Sequence, residues 1–450
     1  MQYSVNREDA QMIRTEQNLK PRDIYLNQLK AFQDTEPVKV VTGIRRCGKS
    51  SLLKLMQRYL LETGIQENQM IAMNFESMEY RNMDVREFYD YVKDRVLSDK
   101  RMYLFFDELQ RLDQWEDAVN SFRVDFDCDI YITGSNAYLL SSEYSTYLGG
   151  RYVEIKMLPL SFKEFLEFHG YEMREYRSAG GLIRKRAYDE QGEQIPWEDL
   201  FDAYLHYGGM PGIADVGLEQ DKAMMLLDGI YSTIVVRDIL ERDWRRGRKQ
   251  VTDPVLLRKI ILFLADNIGN STSLNSVGNV LVSEKMLEDR ARQGKPSSNT
   301  IAAYVEALLE TYMFYEIKRF DVKGKEELRT LGKYYIADIG LRNYLLGYRD
   351  IDMGHMIENI VYFELRRRGF DVAVGKVGDK VIDFIATKDT EKIYYQVTDD
   401  MSKPSTRERE LAPLMALRDN YEKVVIARNT DSTASTEGIK TVRLIDFLLE

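Results

Sequence analysis

Two short stretches hold side chains whose types and spacing suit phosphate chemistry. In "VTGIRRCGKSSLLKLM", residues 41–56, Gly43, Gly48, Lys49 and Ser50 fit the pattern G-x-x-x-x-G-K-[ST]. Glycines let backbone amides approach an anion closely and turn sharply. The lysine of this pattern reaches the β- and γ-phosphates of a nucleoside triphosphate, and the serine hydroxyl ligates Mg²⁺. Ser51, the next residue, is counted with the binding set. Arg45 and Arg46 add two cations inside the loop; both favour an anion, although one could instead pair with a carboxylate of a neighbouring domain. In "RMYLFFDELQ", residues 101–110, a mostly apolar run ends in Asp107 and Glu108. Asp107 is expected to hold Mg²⁺, directly or through water, and Glu108 to orient or deprotonate the attacking water. The plainer alternative, that this pair merely caps the next helix, loses weight beside a phosphate loop.

The elements that must position these groups are legible around them. "PVKVVTG" is β-branched and reads as a buried strand, and "SSLLKLMQRYLLETG" has helical apolar spacing with a glycine stop. Strand, glycine loop and helix together aim backbone N–H groups at phosphate oxygens. Asp107 and Glu108 fall at a strand's C-terminal end, the ligand edge of an open α/β sheet. A third strand, "CDIYITGSNAYLL", ends in Thr133, Gly134, Ser135 and Asn136. Asn136, with Ser135 next in order, is the candidate to sense the γ-phosphate or fix the water, although Gly-Ser-Asn is good turn chemistry in any case. Arg151 follows two glycines and precedes a new strand. It could neutralise charge on a transferring phosphoryl group, in its own subunit or a neighbouring one, or be a surface salt-bridge arginine.

On these motifs residues 20–170 resemble the AAA+-type P-loop ATPases: "GIRRCGKS", "DELQ", "TGSN", "LGGR" and "PLSFKEF" all stand in this chain. The likeness runs on through "YGGMPG" at 207–212, "IVVRDILERD" at 234–243, "KYYIADIGLRN" at 333–343 and "IENIVYFELRRRGFDV" at 357–372. It implies an ATPase that binds ATP with Mg²⁺ and hydrolyses it, and it implies no particular substrate. The expected fold is α/β: a P-loop NTPase parallel sheet with helices on both faces over 1–170, a helical linker or lid over 171–250, a winged helix over 251–340, and a restriction-endonuclease-like domain over 341–450.

For the winged helix the sequence offers three helical segments and then two strands about a "KGK" turn, the wing. Ser298, Asn299, Thr300, Lys323 and Lys325 are the candidate DNA contacts, and a packing or protein-contact role is the alternative. A basic run at 242–250, with Arg242, Arg245, Arg246, Arg248 and Lys249, could track phosphates, though charge runs are more often solvated faces. At the C-terminus Glu358, Asp383 and Gln396 resemble the metal-binding acids of PD-(D/E)xK nucleases, in which a lysine follows two residues after the last ligand. Here that position is Thr398, so the site reads as a degenerate one, with Lys392 and Lys403 as the lysines that could move into the role.

The net charge of −10 argues against coating nucleic acid through overall charge. Cys47 and Cys128 are too few for a disulfide framework, and His169, His206 and His355 are too scattered for an ordinary zinc site. The charged N-terminus lacks a signal peptide's apolar segment, and no apolar run approaches the roughly 18 residues of a spanning helix. A cytoplasmic protein off the membrane is expected. It reads as an ATP-driven switch or motor acting on nucleic acid, DNA ahead of other kinds, with a homo-oligomer as a candidate state. A regulatory protein-interaction switch with little turnover and an ATP-gated metal nuclease stand as alternatives.

Overall fold

In the computed structural model the strand–loop–helix forms where the sequence places it. The structure describes residues 19–137, 150–178, 181, 183–241, 251–283, 296–322, 324, 326–430 and 435–450. The basic run at 242–250 and the turn residues Lys323 and Lys325 lie outside the described residues. The chain divides into two compact units, Met1–Met157 and Leu158–Glu450.

The first unit is built on five parallel strands: β1 (Val38–Thr42), β2 (Met70–Asn74), β3 (Met102–Asp107), β4 (Cys128–Gly134) and β5 (Tyr152–Lys156). Their order is β2-β3-β4-β1-β5. β1 and β3 are buried along their whole length, as strands covered on both faces must be, and their near-continuous apolar sequence follows. Phe88, on the helix Val85–Lys93, packs edge-on against Phe106 and Phe122 and helps close one face. Asp84 caps that helix, accepting from the amides of Arg86 and Glu87. β1 leads into the glycine loop, and the helix Lys49–Glu62 follows directly.

The second unit begins at "LPLSFKEF", and so takes in the last motif assigned by sequence to the ATPase segment. Within the unit, Leu160 donates its amide to Gly209 and its carbonyl accepts the Tyr204 hydroxyl. The start of the segment expected to be a helical linker or lid instead forms a small antiparallel sheet of β6 (Glu172–Arg177), β7 (Ile183–Tyr188) and β8 (Gln194–Ile195), and helices follow from Trp197. Cross-strand cation–aromatic pairs, Arg186 over Tyr176 and Arg174 over Tyr188, supply the side-chain pairing that its low hydrophobicity hides. The motifs "YGGMPG" and "ADIGLRN" meet. Asp338 accepts the amides of Gly209 and Leu341, and a Cβ on Gly340 would stand 2.1 Å from the Tyr207 carbonyl oxygen, so only glycine fits there.

The three expected helices, Pro254–Asp266, Leu274–Ser283 and Ser298–Glu310, precede a hairpin. Between the first two lies the short strand β9 (Ser271–Thr272), and the hairpin is β10 (Phe314–Asp321) and β11 (Glu326–Ile336). This hairpin is paired on both sides, β11 with β9 and β10 with β12 (Asp371–Val377). The sheet continues through β13 (Lys380–Lys388), β14 (Glu391–Asp400), β15 (Glu422–Asn429) and β16 (Lys440–Arg443). All eight strands form one sheet, in the order β16-β15-β14-β13-β12-β10-β11-β9. The segments read from sequence as wing and nuclease-like domain are thus continuous in hydrogen bonding.

Candidate nucleotide site

Gly43 adopts φ +143°, and a Cβ there would stand 2.1 Å from the Met157 carbonyl oxygen; the loop can turn at the end of β1 only with glycine. Gly48, also at positive φ, caps the helix Lys49–Glu62. The Lys49 ammonium is buried and donates to the carbonyls of Gly43 and Ile44, at 2.9 and 3.2 Å, so it lies over the loop that would cradle phosphates. Ser50 and Ser51 are exposed at the helix start. Arg45 pairs with Glu76 at 3.2 Å, a carboxylate that also takes Arg111; the expected carboxylate partner lies in the same unit. Arg46 is exposed and left-handed, at φ 68°. The loop is also held from the N-terminal side, where the buried Arg22 guanidinium donates to the Cys47 carbonyl at 3.0 Å.

Asp107 ends β3 beside this loop, and three neighbours fix its carboxylate. Asn74 donates to it at 3.0 Å, Thr133 donates from β4, and the Ser50 hydroxyl hydrogen-bonds it. Burial raises the Asp107 pKa, and the Thr133 and Ser50 hydrogen bonds oppose that rise. A buried carboxylate touching the serine of the loop fits a Mg²⁺ ion, whose preferred ligands are oxygens. Glu108 is left-handed, at φ 54°, a strained backbone for a non-glycine residue. The Thr133 hydroxyl accepts the Glu108 amide at 2.9 Å and so supports that turn. Gln110 and Ser135 donate to one Glu108 carboxylate oxygen at 2.6 and 3.1 Å, which fixes its direction.

The structure therefore brings Gly43, Gly48, Lys49, Ser50, Asp107, Glu108 and Ser135 together. Asn136 is buried one residue further on, and Ser135 bonds Glu108. Sequence reasoning did not single out Asn74, Gln110 or Thr133. Arg151 sits elsewhere: its carbonyl accepts the amide of Val38, the first residue of β1, whereas the loop follows the last. Arg151 thus lies at the opposite edge of its own sheet, exposed and 3.9 Å from Glu36. The geometry gives no support to a role on the phosphates of its own chain.

In the second unit, Ser298 and Asn299 are exposed at a helix start, and Thr300 donates its amide to the Ser297 cap. Glu358, on the helix Met353–Arg367, and Asp383, on β13, come together as expected, with Gln396 on β14 buried nearby. Phe384 pairs with Tyr395 across β13 and β14, and this register sets Asp383 opposite Gln396 on one face. The lysine at this cluster is Lys333, from β11, rather than Lys392 or Lys403. Its ammonium is 2.6 Å from Glu358 Oε1 and 3.6 Å from Asp383 Oδ1. Burial works against the ammonium, yet the two carboxylates outweigh it and hold its pKa above the ordinary lysine value. Burial, followed by the Glu358 charge, pushes Asp383 up to about 7.

The sheet order, the glycine loop and the acidic strand end define an AAA-type P-loop ATPase domain, and residues 35–166 match the family described as "AAA domain". Residues 198–352 match a domain of unknown function, DUF8612. A Haemophilus influenzae protein described as uncharacterized is 38% identical over 434 residues, 95% of this chain and 98% of that one, and the chain belongs to its family. A Methanocaldococcus jannaschii protein, MJ1544, is 28% identical over 91% of the chain and 85% of its own length. Among solved structures, the Walker-type ATPase PABY2304 of Pyrococcus abyssi is similar at 17% identity and a TM-score of 0.44, over 77% of this chain and 98% of that one. Among the described residues no helix is long and apolar enough to cross a membrane.

Proposed function

We propose that the chain is an ATP-binding and ATP-hydrolysing switch or motor that acts on nucleic acid, DNA in particular. The observation that carries the ATPase reading is the hydrogen-bonded set Asp107–Thr133–Glu108–Ser135, fixed beside the lysine of the phosphate loop. The loop amides and Lys49 would bind the triphosphate, Lys49 exchanging its bonds to Gly43 and Ile44 for phosphate oxygens. Ser50 and Asp107 would hold Mg²⁺, which screens phosphate charge when bound. Glu108, directed by Gln110 and Ser135, would take a proton from the attacking water. Arg151 would act on the phosphates of a second copy, which makes a homo-oligomer the working form. Loss of γ-phosphate contacts releases neighbouring segments, which is how such sites become switches.

DNA action is supported by the basic run at 242–250 and by the exposed helix start at Ser298 and Asn299. The test is ATP turnover with and without several DNA forms, beside Lys49→Ala and Glu108→Gln. Lys49→Ala should lose nucleotide binding, whereas Glu108→Gln should keep it and lose turnover by about 10²–10⁴-fold. DNA should stimulate the wild type, with an affinity that falls steeply as salt rises. If calorimetry on folded protein finds no ATP uptake, the reading fails. Partner capture without any DNA effect would favour the protein-interaction alternative.

A further inference from the structure

The resemblance to nucleases implies a divalent metal at Glu358, Asp383 and Gln396, and the donor set there does not fit one. Lys333 Nζ sits between the two carboxylates, 2.6 Å from Glu358 and 3.6 Å from Asp383. The same Glu358 oxygen, Oε1, also accepts the Tyr335 hydroxyl, so an ammonium and a hydroxyl share it. Asp383 spends its other oxygen on the Val397 amide, at 2.9 Å. The remaining ligand, Gln396, is neutral, and Thr398 stands where a lysine would follow it. Among the described residues no group of three or more His, Cys, Asp or Glu side chains is placed to hold a metal ion.

We infer that Lys333 is the resident cation of this site, its ammonium standing where a divalent metal would bridge Glu358 and Asp383. The ammonium is delivered by β11, the second strand of the hairpin, and meets a helix and a strand that follow it in sequence. The charge that a nuclease would borrow from solution is therefore built into the chain, and it ties the hairpin strand to the carboxylate-bearing elements. One buried acceptor, Gln396 Oε1, has no hydrogen-bond partner among the described residues, as expected of a ligand position that has kept its oxygen and lost its ion. The site then serves as a fixed element whose cation comes from the chain itself. This inference concerns the second unit and does not rest on the ATPase reading.

The test is Mn²⁺ binding to the full chain without nucleotide, read by calorimetry and by loss of the free-ion electron paramagnetic resonance signal. An Asp107→Asn background silences the nucleotide site. The background protein should take up no Mn²⁺. Adding Lys333→Ala should open one site, with a dissociation constant of about 10⁻⁴–10⁻³ M, the weak end of the range for oxygen-ligand Ca²⁺ sites. A further Asp383→Asn should abolish it. Uptake by the background protein that is lost on Asp383→Asn would overturn the inference, as would a folded Lys333→Ala chain that gains nothing. Should Lys333→Ala fail to fold, restoration of its melting transition by millimolar Mn²⁺, but not by matched NaCl, supports the inference. Absence of that restoration overturns it.

Discussion

Thr133 offers the sharpest probe of the nucleotide site, because one hydroxyl there joins both acidic residues. It is fully buried, donates to Asp107 and accepts the Glu108 amide at 2.9 Å. Thr133→Val keeps the shape of the side chain and removes both bonds. A hydrogen bond to a charged group contributes about 1.5–3 kcal/mol, and a buried amide left unpaired costs about 1–3 kcal/mol. The sum is about 2.5–6 kcal/mol. Asn74 and Ser50 also bond Asp107 and recover some of it. If about 1.4–2.8 kcal/mol of the loss falls on the transition state, ATP turnover drops about 10- to 100-fold. Because neither bond touches the phosphate loop, the dissociation constant for ATP should change by less than about threefold, under 1 kcal/mol. The assay is steady-state phosphate release together with calorimetric ATP binding, and Thr133→Ser serves as control because it restores the hydroxyl. If folded Thr133→Val hydrolyses ATP within about twofold of wild type, a difference of only about 0.4 kcal/mol, the claim that Thr133 organises the acidic pair is refuted. If Thr133→Ser is as impaired as Thr133→Val, the missing group is not the hydroxyl.

Gly43→Ala should abolish ATP uptake in calorimetry, because its Cβ meets a backbone carbonyl at 2.1 Å and its φ of +143° disfavours any side chain; melting of the variant should show the first unit destabilised as well. Arg151→Ala should keep ATP affinity and lose turnover. Mixing it with Lys49→Ala should restore part of that turnover, since each copy supplies what the other lacks, and failure to restore it would remove the role between subunits. Asp338, wholly buried, has its pKa pushed by burial from 3.8 to about 6, against the pull of backbone amides that include Gly209 and Leu341. The folded carboxyl thus binds its proton more tightly than the unfolded one. Its contribution to stability is full below about pH 4 and is lost as the pH rises through 6, about 3 kcal/mol in all. Chemical denaturation should show wild-type stability falling between about pH 4 and 6.5 by more than that of Asp338→Asn; parallel curves would refute the shift.

The first unit was legible because each residue that carries its chemistry belongs to a local pattern: glycine spacing for the loop, an apolar run closed by Asp107 and Glu108 for the acidic strand. Asn74, Thr133 and Gln110 escaped because their roles come from neighbours rather than spacing. Asn74 pairs directly with Asp107 between β2 and β3, and no local pattern announces which strands will be adjacent. Arg151 was legible as an unusual arginine, but not as one at the far edge of the sheet. Two lysines suggest what signal was available. Lys39 interrupts the apolar run of β1, is wholly buried, and is bound to Asp129, 90 residues away. Lys333 likewise precedes "YYIA", in the buried end of its strand, and is bound to Glu358. A lysine is almost never buried unless paired, since an isolated charge taken out of water has no compensation. A lone lysine inside a buried strand therefore announces a carboxylate partner from another element, even where the sequence cannot say which one. Applied to Lys333, that rule would have directed attention upstream of Glu358, to the hairpin, and away from Lys392 and Lys403, which lie nearer Gln396 in sequence. Charge compensation is a property of the folded site, and a motif search confined to the strand bearing "QVT" looks for the missing cation along the chain when the fold delivers it from across the sheet.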